Sequence, residues 1–228
     1  MIRLVVFLGN PGNQYAKNRH NAGWLLAEHL PFYSLVHWEK KFKGFFSRIE
    51  GDQVLTFYKG MDDTGYKSPD GCNGTVNEAD SIGDRVKTLP ISQYIYLLKP
   101  GTYMNLSGES VVAATSYFKI KPEHILVLHD ELELPVGSVS LKFSGGLGGH
   151  NGLRSMKSCL GTADFWRFRI GIGRPSHTDI AGWVLSDFTH EESAVLTNVF
   201  TESAKALIAA LSAGPDRLLP EWNKKKII

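Results

Sequence analysis

The chain has 228 residues, 43% of them hydrophobic, and its 25 lysines and arginines against 23 acids leave a net charge of +2. This excludes a disordered chain, which would be poorer in apolar residues and more lopsided in charge, and the length fits one large domain or two small ones. The two cysteines, Cys72 and Cys159, form no metal-type pair and read as free thiols; no apolar run matches a signal-peptide core or the ~20 residues that span a bilayer, so a cytoplasmic protein is expected.

Residues 4–8 form a short apolar run ended by Asn10-Pro11-Gly12, the pattern of a buried strand followed by a turn. Asn21 can cap a helix reaching residue 30, with Trp24, Leu25 and Glu28 at helical spacing and Pro31 closing it. Residues 45–50 and 54–58 read as a hairpin about Gly51-Asp52, which would make the sheet mixed. Residues 60–90 hold six acids, three bases and five glycines, and so few apolar side chains predict a loosely folded surface excursion.

Regular structure returns with a strand at residues 94–98, stopped by Pro100-Gly101. A helix follows from Ser107 or Gly108 to about residue 119, with Val111, Val112, Ala114 and Phe118 for its buried face. Residues 125–128 predict a buried strand ending at His129-Asp130, and residues 138–143 a strand with one wet face. Past a glycine loop, a helix is expected over residues 151–160 and a strand over 167–172. A long amphipathic helix runs from Thr189 to about residue 213, with Glu191 and Glu192 in its first turn, where the helix dipole favours acids. The lysines at 224–226 are expected to fray. Strands alternating with helices predict an α/β fold with one sheet covered on both faces.

In such a sheet, ligands bind beyond the carboxyl ends of the strands. Asn10 follows the first strand, Met104-Asn105 the strand at 94–98, Asp130 the strand at 125–128 and His150-Asn151 the strand at 138–143; His20 precedes the first helix. Each alone has a bland explanation, since asparagine and aspartate in turns usually serve their own backbone. Together His20, Asp130 and the three asparagines supply a base, an orienting carboxylate and neutral donors on one rim. A neutral imidazole is a base near pH 7, a carboxylate on its other nitrogen fixes the tautomer, and amide N–H groups steady a developing oxyanion. No serine sits in a Gly-x-Ser-x-Gly elbow, so water is the expected nucleophile. The glycines at 144–152 fit neither a dinucleotide fingerprint nor a P-loop, and the eight histidines show no His-Glu-x-x-His spacing, so neither cofactor nor metal is expected. Residues 142–174 carry six cations against one acid, a local charge of +5 that is either a solvated face or a surface for a polyanion.

The blocks Asn10-Pro11-Gly12-x-x-Tyr15-x-x-x-Arg19-His20-Asn21-x-Gly23 and Lys99-Pro100-x-Thr102-Tyr103-Met104-Asn105-Leu106-Ser107-Gly108 closely resemble bacterial-type peptidyl-tRNA hydrolase. So do His129-Asp130-Glu131-Leu132, Gly148-Gly149-His150-Asn151-Gly152 and the run from Arg167 to Pro175, all in the family's order. The resemblance implies hydrolysis of the ester between a stalled peptide and the 3′-terminal ribose of tRNA, which recycles the tRNA. It implies a monomeric three-layer α/β/α sandwich about a mixed sheet, without cofactor, obligate protein partner or membrane. By the same resemblance His20 is the general base, Asp130 holds it, and Asn10 helps distinguish blocked from free aminoacyl-tRNA. Tyr15, Tyr103, Asn105 and Asn151 match substrate-binding positions, Met104 lines their cleft, and Lys142 and Arg169 would meet tRNA phosphates. Two departures stand out: Asn18 replaces the usual threonine, and the stretch at 60–90 is longer than usual, its net −3 charge a possible source of repulsion towards tRNA. The rival expectations are a catalytically silent RNA-binding relative, set against the presence of both His20 and Asp130, and a peptidase, which would want a metal cluster or an activated nucleophile.

Overall fold

The computed structural model describes residues 1–62, 93–176 and 178–228. Its strands are Leu4–Phe7 (β1), Glu39–Lys41 (β2), Gly44–Glu50 (β3), Tyr94–Pro100 (β4), Ile125–Glu131 (β5), Ser138–Phe143 (β6), Trp166–Gly171 (β7) and Lys225–Lys226 (β8). They form one mixed sheet in the order β2-β3-β4-β1-β5-β7-β6-β8. The central strands β4, β1, β5 and β7 are parallel, and the antiparallel pairs lie at the two flanks. All four residues of β1 and all seven of β5 are buried; β1 and residues 125–128 are the continuous apolar runs that a doubly covered parallel sheet requires, and the buried His129, Asp130 and Glu131 end β5.

The helices are Ala22–Glu28 (α1), Gly51–Asp62 (α2), Ser107–Phe118 (α3), Asn151–Leu160 (α4), Ile180–Val184 (α5), His190–Ala213 (α6) and Pro215–Trp222 (α7). Val5 and Phe7 pack with Leu26, Val54, Leu207 and Trp222, so α1, α2, α6 and α7 cover one face. Leu4, Val6 and Leu8 pack with Val111, Ala114, Leu153 and Met156, so α3 and α4 cover the other. The result is the expected three-layer α/β/α sandwich.

The predicted hairpin about Gly51-Asp52 is wrong. Residues 51–62 are helical, with Val54 and Tyr58 buried one turn apart and Gln53 Oε1 accepting from the Glu50 backbone N–H at 3.2 Å. The spacing of Val54 and Tyr58 fits both a strand and a helix, and long-range packing selects the helix. The actual hairpin joins β2 to β3 through Phe42 and Lys43, at φ 53° and 54°. Other expectations shift in detail. The first helix ends at Glu28 rather than residue 30, and β4 and β5 run further than predicted. The wet face expected of β6 is absent, because Ser138 and Ser140 are buried and only Lys142 and Phe143 are exposed. The terminal lysines do not fray: Lys225 pairs with Val139, and the Ile227 N–H donates to Gly137 O at 2.9 Å.

Thr189 and Glu192 form a capping box at the start of α6. Contrary to the sequence expectation, α6 is long and apolar enough to cross a bilayer, but 61% of its most apolar stretch is buried, much of it facing the sheet. Cys159 is exposed. Residues 63–92 lie outside the described residues, so the excursion at 60–90 is seen only in the last residues of α2, and Cys72 not at all.

Candidate active site

His20 stands in a 3-10 turn, Arg19–Asn21, between the β1 loop and α1. Asp130 lies within β5 rather than beyond it, because the pairing with β7 continues to Glu131. Both side chains are buried, His20 at 7% exposure and Asp130 at 3%. His20 Nδ1 is 2.9 Å from each Asp130 carboxylate oxygen. No described residue takes a hydrogen bond from or gives one to its Nε2.

A second imidazole shares this carboxylate. His150 Nε2 is 3.0 Å from Asp130 Oδ1, while its Nδ1 caps α4 by accepting from the Gly152 and Leu153 N–H groups at 3.1 and 3.4 Å. A ring nitrogen that accepts from the backbone carries no proton, so His150 is the neutral tautomer donating from Nε2. The His20 and His150 rings lie 4.8 Å apart. His129 stands edge-on to His150 at 4.9 Å, and its Nδ1 donates to Asp130 O at 2.7 Å. Sequence reasoning placed His150 near the site without assigning it this bond, which the Gly-Gly-His-Asn-Gly block alone could signal.

These contacts set the charges. Burial opposes ionisation of Asp130, but His20 and His150 hold its carboxyl well below the ordinary range. Burial likewise opposes charge on His20, and the Asp130 charge and hydrogen bond outweigh it, raising the His20 pKa above its ordinary 6.5. His129 is pushed well below that value by burial. Ligand-type atoms of His20, Asp130 and His150 lie within 4.8 Å of one another. Their hydrogen-bond pattern disfavours a metal ion, because Nδ1 of His20 and Nε2 of His150 turn N–H groups towards the carboxylate where a ligand needs lone pairs.

Asn10 is fixed on three sides. Its backbone N–H donates to Asn21 Oδ1 at 2.8 Å, its carbonyl accepts from Asn21 Nδ2 at 3.0 Å, and its Oδ1 accepts from the Met104 N–H at 2.8 Å. Asn21 therefore clamps Asn10 rather than capping α1 with its side chain. With Oδ1 turned to the Met104 N–H, the Asn10 Nδ2 is left as a donor without a partner among the described residues. Met104 is buried, and a Cβ on Gly152 would come within 2.6 Å of its Sδ. Tyr103 is exposed and stands edge-on to Tyr15 at 6.4 Å, and Asn105 is exposed beside it. Asn151 borders a cavity of about 280 Å³ together with His20, Asp130, Leu132, Arg154 and Val184, and its Oδ1 accepts from Arg154 Nη1 at 3.2 Å.

The turn bearing His20 is anchored from behind. Arg19 is fully buried, bonds both Glu192 oxygens at 3.0 and 2.7 Å, and lies 3.8 Å over the Trp183 ring. Asn18 Nδ2 donates to Leu185 O, so the asparagine at this position ties the turn to the segment between α5 and α6.

The +5 stretch is less positive at its surface than its sequence count. Arg167 is buried and donates to the carbonyls of Ser144, Gly145 and Gly146, bracing the glycine loop. Arg169 Nε pairs with Glu131 at 2.9 Å with both side chains largely buried, and Arg174 pairs with Glu133. Lys142, Arg154 and Lys157 are the exposed cations of the stretch without a carboxylate partner among the described residues.

Known proteins align with nearly the whole chain. The profile of the family described as peptidyl-tRNA hydrolase matches residues 4–61 and 71–228. The peptidyl-tRNA hydrolase of Treponema pallidum is 42% identical over 232 residues, covering 100% of this chain and 97% of the relative. That of Desulfitobacterium hafniense is 35% identical over 224 residues, covering 98% and 100%. The crystal structure of peptidyl-tRNA hydrolase from Acinetobacter baumannii matches at a TM-score of 0.74 and 31% identity, covering 100% of this chain and 97% of that one. Likeness of this extent, in sequence and in fold alike, shows that the chain belongs to the peptidyl-tRNA hydrolase family.

Proposed function

We propose that the chain hydrolyses peptidyl-tRNA with His20 as general base, held by Asp130, acting on water beside the ester that joins peptide to terminal ribose. The observation that carries this is the approach of His20 Nδ1 to both Asp130 oxygens at 2.9 Å. It puts the proton on Nδ1 and leaves the Nε2 lone pair for water. As water attacks the ester carbonyl, Nε2 takes its proton and the imidazolium is stabilised by Asp130. Collapse of the tetrahedral intermediate breaks the ester bond, and the departing ribose oxygen receives that proton from Nε2.

Asn10 contributes selectivity through its Nδ2 donor. A blocked substrate presents a carbonyl oxygen near the ester, where a free aminoacyl group carries an ammonium. A donor-only Nδ2 attracts the first and repels the second. Tyr15, Tyr103, Asn105 and Asn151 hold the substrate, with Met104 supporting Asn10 from the core, and Lys142 and Arg169 serve the tRNA. The reading is completed by a monomer working in the cytoplasm without cofactor, metal ion or obligate partner.

The test is release of N-acetylamino acid from N-acetyl-aminoacyl-tRNA, with unblocked aminoacyl-tRNA alongside. The native enzyme should cleave only the blocked ester. His20→Ala should lose at least about 10³-fold in turnover while binding tRNA as before. Loss of tRNA binding with the fold intact would instead make His20 a contact.

A further inference from the structure

Burying an ammonium group is costly unless a carboxylate or several acceptors meet it. Lys99, near the end of β4, is only 5% exposed and has neither. Its one hydrogen bond among the described residues goes to Tyr33 Oη at 3.0 Å, and no described carboxylate forms an ion pair with it. The ammonium is met instead by aromatic rings, Tyr33 at 4.7 Å, Trp38 at 5.4 Å and Trp24 at 5.5 Å. The indole N–H groups of Trp24 and Trp38 are buried without partners and, being donors, cannot bond an ammonium. These two residues therefore serve it through their π-systems alone. Trp24 comes from α1, Tyr33 and Trp38 from the segment between α1 and β2. Phe45 on β3 pairs with Lys99 through the backbone and stands edge-on to Trp24 at 6.2 Å. The titratable groups that act on Lys99 are Tyr33 and, from α1, Glu28.

A methionine would fill the same space among aromatic rings without an unpaired charge, so nothing in the packing calls for the ammonium. The cage does, however, bear on Asn10 from two sides. Trp24 is pressed against the loop after β1, since a Cβ on Gly9, the residue before Asn10, would lie 2.5 Å from its Cδ1. Along the chain, β4 leads from Lys99 into the turn at Met104, whose N–H donates to Asn10 Oδ1 at 2.8 Å.

We propose that Lys99 is a positioning residue for Asn10: its ammonium draws Trp24 against Gly9 and fixes the start of the turn that carries Met104. The inference rests on Asn10 reading the blocked end of the substrate; Lys99 itself touches no substrate. The charge that tightens the cage is also labile. Burial lowers the Lys99 pKa to about 8, against the charge of Glu28, which raises it. Burial and then Glu28 push the Tyr33 hydroxyl up, so it stays neutral while Lys99 titrates. The cage is charged and tight below that pH and loses its cation–π contacts above it.

Kinetics on N-acetyl-aminoacyl-tRNA across about pH 7 to 9.5, corrected for spontaneous ester hydrolysis, test this together with melting of each variant. The native KM should rise about five-fold as Lys99 loses its proton, with kcat unchanged. Lys99→Met should melt no lower than the native protein, keep kcat and show the raised KM at every pH. Glu28→Gln should keep both limits of KM but pass between them at lower pH, because the carboxylate that raises the Lys99 pKa is gone. A merely structural lysine would not respond to that change. Beside Asn10→Ala, Lys99→Met should have no further effect on KM. A native KM that is flat with pH, or a limb that Glu28→Gln leaves in place, overturns the proposal. So does a Lys99→Met enzyme that has native KM, that melts below the native protein, or whose loss persists beside Asn10→Ala. An Asn10→Ala enzyme with native KM and native selectivity would instead remove the role of Asn10 itself, and the inference with it.

Discussion

Asp130 is asked to do two things with one carboxylate. It accepts from His20 Nδ1 and from His150 Nε2, and both bonds need an acceptor. Asparagine keeps one acceptor oxygen but puts an NH2 group in place of the other, and with Oδ1 kept for His150 that group lies 2.9 Å from His20 Nδ1, donor against donor, with the carboxylate charge gone. Turnover should fall by on the order of 10³-fold or more, because the favoured His20 tautomer is lost. The pH profile carries a separate signature. A raised His20 pKa favours the protonated form, so activity should fall on acidification with a midpoint above 6.5 in the native enzyme. Removing the Asp130 charge removes the main cause of that rise, so the acid limb in Asp130→Asn should move to lower pH. Single-turnover rates across pH measure both effects. A limb that stays in place would mean that the titrating group is not His20.

The elements that carry these side chains are packed backbone to backbone, which makes certain glycines irreplaceable and others expendable. A Cβ on Gly23, in the first turn of α1, would lie 2.6 Å from both Leu8 O and Leu128 O. Neither carbonyl can retreat without moving β1 or β5, so α1 and the adjoining His20 turn would have to shift. Gly23→Ala should destabilise the protein by about 3 kcal/mol or more and lower activity with it. Among the described residues, nothing lies within 4 Å of the place a Cβ on Gly60, inside α2, would take. Gly60→Ala should stabilise by about 0.5–1 kcal/mol. Thermal or denaturant melting of the two variants makes the comparison, and similar shifts in both would contradict the close approach of α1 to the sheet. The same distinction between local and long-range causes explains which elements are legible in the sequence. Buried parallel strands announce themselves as unbroken apolar runs, and the pairing of Thr189 with Glu192 three residues on marks the start of α6 by a purely local signal. Residues 51–62 carry no such signal, because Gly51-Asp52 reads as a turn and only packing against the core resolves the spacing of Val54 and Tyr58. Lys225 and Lys226 have no strand signal of their own, since their pairing with β6 is made by backbone groups. His20 and Asp130 are legible as a pair through the strand-end rule and the family's motif, whereas the His150 bond depends on how the glycine loop folds back on β5.

At the scale of the whole molecule, the question is which charges tRNA meets. A net charge of +2 gives little long-range attraction, so binding must rest on a local surface. Lys142 and Arg169 have similar sequence claims to that surface, yet their surroundings differ. Lys142 is exposed near the end of β6, next to the loop braced by Arg167. Arg169 is largely buried against Glu131, with its Nη1 3.4 Å from Ser140 Oγ. Lys142→Ala should therefore raise KM for whole peptidyl-tRNA, leave a short peptidyl-nucleotide ester unaffected, and reduce the salt dependence of binding by about one phosphate contact. Arg169→Ala should act first on stability, by about 2 kcal/mol or more, because it strands Glu131 as a buried, unpaired carboxylate. Steady-state kinetics on both substrates, binding across salt, and melting of each variant separate the cases. Equal effects of Lys142→Ala on the long and short substrates would remove Lys142 from the phosphate surface. An Arg169→Ala protein that melts normally but matches Lys142→Ala in KM would show that the pair with Glu131 opens when tRNA arrives, making the guanidinium a phosphate ligand in the complex.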